Sequence, residues 1–175
     1  EASAFAGRDV FIVGGANSAG QAALHLARYA RAVTLVVRAD SLRAGMSEYL
    51  VRQIEATDNI AARLGCQVVG GGGEGRLERL VLRDIGSQTE ASVEASALFL
   101  LIGAEPNTDW LPPDIERDKQ GFILTGAEVS QPRPSLLDRS RFLLETSMPG
   151  VFAAGDVRHG GVKRVASAVG EGSIA

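Results

Sequence analysis

Near its start, the chain places a short apolar strand directly before a glycine turn and a helix, and this order narrows the possible folds more than any other part of the sequence. Residues 9–13 are Asp-Val-Phe-Ile-Val, a β-branched run typical of a strand buried on both faces. Gly14 and Gly15 follow, and small apolar residues then recur at helical spacing from Ala19 to Ala30. Residues 33–37 form a second buried run. Strand, glycine turn, helix and strand within about 30 residues predict a βαβ unit with a parallel sheet.

The segment that follows this unit indicates strands with few helices. A helix is predicted over 47–56. Short strands with no helix between them are then predicted at 67–69, 77–83, 91–94 and 97–102. The glycines at 70–73 fall between two of these strands, and we interpret them as a hairpin loop. Such a run of strands is typical of a β-meander.

The C-terminal part of the chain is richer in loops. Residues 105–145 hold five of the six prolines, and within them only 121–124 indicate a strand. The Gln-Pro-Arg-Pro segment at 131–134 is predicted as a loop. Residues 150–155 predict another buried strand, and a helix of small residues follows from about Lys163. Because the chain stops inside this helix, we expect it to be a piece of a longer protein.

Composition excludes several classes of protein. Of 175 residues, 45% are hydrophobic and 22% charged, as in an ordinary globular domain, and the net charge of −3 argues against a nucleic-acid surface. The longest apolar run, Ala97 to Ile102, is far shorter than the roughly 20 residues that span a bilayer, so no membrane partner is expected. The single cysteine, Cys66, fits a reducing cytoplasm and is predicted to be a buried small residue. We assign no metal site.

The glycine turn carries the main functional signal. Residues 14–19 follow the spacing of the dinucleotide fingerprint, in which glycines let the backbone approach a pyrophosphate at a helix N-terminus. Ala16 stands where the fingerprint has its middle glycine. The strand before the turn and the helix after it supply the context that the fingerprint requires. The predicted dinucleotide contacts are Gly14, Gly15, Ala16, Asn17, Ser18 and Ala19.

The end of the second strand indicates which dinucleotide binds. An acidic side chain at this place usually holds the ribose hydroxyls of the non-phosphorylated cofactor. Here the strand ends in Arg38, and Arg43 follows five residues later. A guanidinium offers both positive charge and a bidentate fork to a 2′-phosphate, so the pair favours NADPH. The alternative is that both are solvated surface arginines.

Several stretches of the chain resemble the thioredoxin reductase family of flavoproteins, in the family's order and at its spacing. They are 13–19 (VGGANSA), 33–38 (VTLVVR), 102–108 (IGAEPNT) and 149–157 (PGVFAAGDV). The resemblance implies an α/β fold with two parts. Residues 1–102 would be a Rossmann-like, three-layer NADPH-binding domain that carries the β-meander. Residues 103–175 would be the C-terminal part of a second, FAD-binding Rossmann-like domain.

The resemblance also implies the cofactors NADPH and FAD and the residues that contact them. In the family an arginine-rich motif after the second strand grips the 2′-phosphate; this chain keeps Arg38 and Arg43 but has Val37 and Ala39 at two of the motif's places. Asp156 matches the aspartate that contacts the flavin ribitol. The other cofactor positions implied are Gly103, Gly155, Lys163, Arg164 and Val165.

The activity implied is transfer of a hydride from NADPH to FAD and on to a disulfide or another redox acceptor. The acceptor stays open between thioredoxin, a related small dithiol protein and a ferredoxin-like carrier. The family's Cys-x-x-Cys pair would lie upstream of this chain. We therefore assign no catalytic residue here, and we expect the isolated chain to be inactive and the full-length protein to be a homodimer.

Two alternatives from other classes stay open. The first is a non-catalytic NADP-binding module or sensor. The second and more remote is a serine hydrolase, because Ser18 follows a strand and precedes a helix, with Asp156 and His159 later in the chain in the order of a triad.

Overall fold

The computed structural model describes residues 2–130 and 139–175. These residues form two compact units, one ending at Gly103 and the other beginning at Ala104. The loop predicted at 131–134 lies outside the described residues. No helix in the described part of the chain is long and apolar enough to cross a membrane.

The first unit is built around a parallel sheet with the helices on one face. Its helices are α1 (Asn17–Ala27) and α2 (Glu48–Glu55), and its strands are β1 (Asp9–Val13), β2 (Ala32–Val36), β3 (Ile60–Arg63), β4 (Cys66–Gly72), β5 (Arg79–Asp84), β6 (Glu90–Glu94) and β7 (Ala97–Leu100). Four strands form the parallel sheet in the order β3-β2-β1-β7. The predicted βαβ unit is therefore confirmed.

Successive side chains of β1 point to opposite faces of the parallel sheet, so the core of this unit consists of two clusters, one on each face. Val10 and Ile12 are fully buried in the cluster that contains the apolar faces of α1 and α2. Phe11 points to the opposite face, where it packs with Leu80 and Leu82 of the second sheet. That sheet is the antiparallel meander β4-β5-β6. Helices, parallel sheet and meander make three layers, as the predicted fold class requires.

Two details of the first unit differ from the sequence predictions. The hairpin loop predicted at Gly70–Gly73 is wrong in part, because Gly70, Gly71 and Gly72 continue β4 and pair with β5 after a shift of register. Hydrogen bonding to a neighbouring strand here outweighs the low intrinsic strand preference of glycine. Strand β3 was missed, since its Ile-Ala-Ala-Arg sequence is short, mostly exposed and sits at the edge of the sheet.

The described part of the second unit contains α3 (Val165–Ile174) and otherwise mostly loops and turns. The strands predicted at 121–124 and 150–155 are wrong: only Ile123 and Phe152 of these segments form bridges, and each bridge is isolated. A short apolar run needs neighbouring strands to become a strand itself, and the described residues supply only isolated bridges. The core of this unit is small, with Ile115, Ile123 and Ala153 at its centre.

Candidate functional site

The carboxyl ends of three parallel strands meet beside the glycine turn. The register places Val13 opposite Val36 on one side and opposite Leu100 on the other. Past these pairs, the Gly14 amide donates to the Val36 carbonyl (3.2 Å) and the Leu101 amide donates to the Val13 carbonyl (2.8 Å). The turn therefore leaves the sheet in a crevice at its carboxyl edge, where open α/β sheets bind ligands.

Two glycines of the turn cannot carry a side chain without moving their neighbours. Gly14 has φ +146°, and a Cβ there would lie 2.4 Å from the Leu101 carbonyl oxygen. A Cβ on Gly15 would lie 2.8 Å from Cγ1 of Val37. The backbone of the turn thus packs closely against the ends of both neighbouring strands, which leaves no room for a side chain at either glycine.

The helix that follows the turn begins with backbone amides that donate no hydrogen bond to the described residues. Ala16 is its N-cap residue and contributes no side-chain cap, while its carbonyl accepts from the Ala19 amide (3.0 Å). The Asn17 and Ser18 residues are exposed, and their amides donate to no residue in the described part of the chain. Unpaired amides and the positive end of the helix dipole make this place suited to an anion.

The side chain of Asn17 is used within the fold. Its Oδ1 accepts a hydrogen bond from the Ser47 amide (2.8 Å), which ties the start of α1 to the residue just before α2. Asn17 therefore offers a ligand its backbone amide and not its side-chain oxygen.

Arg38 faces open space next to the glycine turn. It is exposed and lines a surface cavity of about 530 Å³ together with Gly15, Val37, Ser41 and neighbouring residues of the following loop. Within residues 2–130 and 139–175, its guanidinium has no hydrogen-bond or ion-pair partner. The structure thus puts an uncompensated positive charge beside the turn.

Arg43 points elsewhere. Its guanidinium donates to Glu48 (Nε to Oε2, 3.1 Å) and to Glu55 (Nη1 to Oε1, 2.9 Å), both on α2. These hydrogen bonds, from Glu55 first and then Glu48, raise the pKa of Arg43 above its ordinary value. Although both arginines were predicted to contact the 2′-phosphate, only the Arg38 guanidinium faces the cavity, and that of Arg43 is paired with α2.

In the second unit, the turn at Gly155 and Asp156 is held by Glu171, a residue that the sequence patterns did not single out. Gly155 is buried at φ +77°, and its amide donates to Oε2 of Glu171 on α3 (2.7 Å). Glu171 also pairs with Arg158 (2.6 Å). Arg158 first, and the Gly155 amide second, lower the pKa of the Glu171 carboxyl. The sequence signal that could have revealed this role is that Glu171 is the one charged residue of α3, which otherwise consists mostly of small residues.

The side chains predicted to contact a flavin are exposed. The Asp156 carboxylate has no partner among the described residues and caps no described amide, whereas its carbonyl accepts from Lys163 (3.3 Å). Lys163 also lies 4.0 Å from the centre of the Phe122 ring. Arg164 is the N-cap residue of α3, and Val165, its first residue, is 82% exposed.

The remaining candidates take other positions. Gly103, at φ +93°, is exposed at the end of the first unit. Cys66 is buried, as predicted, and burial raises the pKa of its thiol. His159 contacts Glu128 through Nδ1 (3.0 Å) and lies near Asp118, so its ring is not paired with Asp156. No group of residues that could hold a metal ion occurs among the described residues.

Comparison with known proteins gives consistent matches over the chain. The family model for pyridine nucleotide-disulphide oxidoreductase matches residues 2–172. The chain is 32% identical to a thioredoxin reductase of Chlamydia trachomatis over 98% of this chain and 50% of that protein. It is 33% identical to NADPH-dependent thioredoxin reductase 3 of Arabidopsis thaliana, over 98% of this chain and 30% of that protein.

A solved structure gives the same result. The crystal structure of thioredoxin reductase from T. acidophilum superposes with a TM-score of 0.75 at 28% identity, covering 98% of this chain and 51% of that chain. The chain thus spans about half the length of the first relatives that it matches.

Proposed function

The chain belongs to the pyridine nucleotide-disulphide oxidoreductase family, and we propose that it is the NADPH-binding part of a thioredoxin reductase-like flavoenzyme. In this proposal residues 1–102 form the NADPH domain, and residues 103–175 contribute to the FAD domain. The family assignment leaves the serine hydrolase alternative without support. His159 contacts Glu128 and lies near Asp118 instead of Asp156, which also argues against a catalytic triad.

The main observation in support of the proposal is the closely packed glycine turn, together with the two amides at the start of α1 that donate to no described residue. A Cβ on Gly14 would collide with Leu101 and one on Gly15 with Val37, so both positions require glycine and the turn carries no side chain of its own there. The Asn17 and Ser18 amides, at the N-terminus of α1, are aligned to donate to the pyrophosphate of a dinucleotide. These features fit NADPH.

Arg38 is proposed to distinguish NADPH from NADH. It is exposed beside the cradle and has no partner within the described residues. A 2′-phosphate would give its guanidinium a charge-assisted, bidentate partner that NADH lacks. The chain therefore holds and orients the nucleotide, and in this proposal none of its residues carries out chemistry.

The FAD side is proposed to use the turn at Gly155 and the start of α3. Asp156 would hold the ribitol hydroxyls through its unpaired carboxylate, and the backbone near Lys163, Arg164 and Val165 would lie along the flavin. When bound, the two cofactors supply hydride donation and electron acceptance. The proposed acceptor is the disulfide of thioredoxin or a similar small redox protein, in keeping with the names of the relatives.

The chain alone is proposed to act as a binding module. Its single cysteine, Cys66, is buried with a raised pKa and is unsuited to disulfide exchange. For the whole protein we propose a homodimer in a reducing cytoplasm.

Calorimetric titration with NADPH and NADH tests the proposal. We expect tighter binding of NADPH, and Arg38→Ala should weaken NADPH binding by about tenfold or more, the equivalent of one charge-assisted hydrogen bond, with little effect on NADH. Arg28→Ala is the matched control, because Arg28 is also exposed but lies at the other end of α1. Equal affinities for the two nucleotides, or an unchanged NADPH affinity in Arg38→Ala, would contradict the proposed selectivity.

A further inference from the structure

We propose that Glu48 and Glu55, two carboxylates of α2, hold Arg43 away from the nucleotide cavity and so limit the preference of this site for a 2′-phosphorylated nucleotide. The inference rests on the proposed function, because it concerns the same site. It assigns a role in specificity to two residues that do not themselves line the cavity.

The backbone of Arg43 lies at the rim of the cavity. Arg43 is the middle residue of a helical turn, Leu42–Ala44, whose buried Leu42 anchors it and whose preceding Ser41 accepts a hydrogen bond from the Arg43 amide (3.1 Å). Ser41, Ala44 and Gly45 all line the cavity next to Arg38. Arg43 is thus flanked on both sides by cavity residues, although its own side chain turns away.

The side chain is held on the other side of this turn by carboxylates. Nε donates to Glu48 (3.1 Å), and Nη1 and Nη2 both donate to Glu55 (2.9 and 3.3 Å). All three nitrogens of the guanidinium are therefore engaged with α2. A second depression, which Arg43 and Glu55 line together, lies on this side.

The charges around Arg43 balance. Glu48 also accepts from Arg52 (3.1 Å), so two arginines and two glutamates form one neutral cluster. Arg38, in contrast, has no charged partner in the part of the chain that the structure describes. A 2′-phosphate entering the cavity would meet the full charge of Arg38 but a compensated Arg43.

The cluster is exposed enough to be opened by a competitor. The side chains of Arg43, Glu48 and Glu55 are 52%, 49% and 53% exposed. Ion pairs at such exposure are weak, each equivalent to about 1.5- to 5-fold in an equilibrium constant. The carboxylates therefore reduce the contribution of Arg43 to phosphate binding without excluding it.

Nucleotide titrations of the 175-residue chain test the inference. Glu48→Gln with Glu55→Gln should tighten NADPH binding by about three- to tenfold and change NADH binding by less than about twofold. In the same background, adding Arg43→Ala should abolish the gain. Arg43→Ala alone should weaken NADPH binding by less than about twofold. Glu90→Gln, which opens the exposed Arg83 pair in the meander, is the control and should leave both affinities unchanged.

Three results separate the inference from the proposed function. An unchanged NADPH affinity in the double glutamine variant overturns the inference, and so does an equal gain when Arg43 is alanine, because removal of negative charge alone would then explain it. If circular dichroism shows that the double variant is unfolded, Glu55→Gln alone should still raise the NADPH affinity about twofold. Failure of the unaltered chain to bind either nucleotide instead overturns the proposed function.

Discussion

At the scale of single residues, the glycine turn is explained by collisions that a side chain would make. An alanine at Gly14 would place Cβ 2.4 Å from the Leu101 carbonyl oxygen, on a backbone at φ +146°. We expect Gly14→Ala to lower the free energy of unfolding by about 2–4 kcal/mol, from backbone strain and overpacking together. It should also displace the amides at the start of α1 and weaken NADPH binding. Urea unfolding followed by circular dichroism measures the first effect.

Gly7 supplies the matched control for Gly14. It lies in the same unit at φ +70°, but a Cβ there would have no atom within 4 Å. Gly7→Ala should therefore lower the free energy of unfolding by about 1–2 kcal/mol, the strain of an alanine in the left-handed region alone, and leave nucleotide binding intact. Equal losses in the two variants would show that the contact with Leu101 does not matter.

The direction of a side chain was beyond what the sequence could predict. Arg38 and Arg43 follow the same strand with the same chemistry, and both were predicted to face a phosphate. What separates them is the placement of Glu48 and Glu55 on α2, seven residues apart, so that both reach Arg43. That arrangement depends on tertiary packing of α2 and has no local sequence signal.

At the scale of elements, α3 stabilises the Gly155 turn through one carboxylate. Glu171 accepts from the Gly155 amide and from Arg158, and the Glu171 and Arg158 side chains are each 17% exposed. Loss of such charge-assisted hydrogen bonds in Glu171→Gln should cost about 1.5–3 kcal/mol near neutral pH. Unfolding monitored at a signal of the second unit, such as Trp110 fluorescence, measures it.

The pH dependence of this effect has a definite sign. The pKa of Glu171 is lowered in the folded protein from its ordinary value of 4.5, so its stabilisation is complete above 4.5 and is lost as the pH falls through the lowered value. The advantage of the unaltered chain over Glu171→Gln should therefore shrink in acid. Glu90→Gln, at an exposed pair, should change stability by less than about 1 kcal/mol. A pH-independent difference would contradict the assigned role of the carboxylate.

The elements that sequence predicted well are those with local signals. Strand β1, helix α1 and strand β2 follow from periodicity and a glycine turn. The structure has β1 at the predicted bounds and β2 one residue earlier, while α1 begins at Asn17 and ends at Ala27, three residues before the end of the periodic stretch. The predictions at 121–124 and 150–155 failed because a strand also needs partners, which no local pattern reveals. The three-layer arrangement was reached through the family resemblance.

At the scale of the whole molecule, the FAD site is expected to be incomplete in this chain. No residue of α3 is buried, and Val165, Val169 and Ile174 are 82%, 67% and 71% exposed. Because the chain spans about half the length of its first relatives, we expect it to retain no flavin after incubation with FAD and gel filtration. Retained NADPH binding is the control for folding. A yellow preparation with one flavin per chain would contradict the proposed division into domains.

In the proposed complex, NADPH lies on the turn between β1 and α1 with its 2′-phosphate at Arg38. Amide NMR of the isotope-labelled chain can locate the nucleotide residue by residue. On titration with NADPH, we expect the largest shifts at Gly14, Gly15, Ser18 and Arg38, with the amide signals of β5 and β6 unchanged. NADH should shift the turn but leave Arg38 nearly unchanged. Shifts centred on the meander would show that the nucleotide binds elsewhere, and equal shifts of Arg38 with both nucleotides would show that Arg38 does not bind the 2′-phosphate.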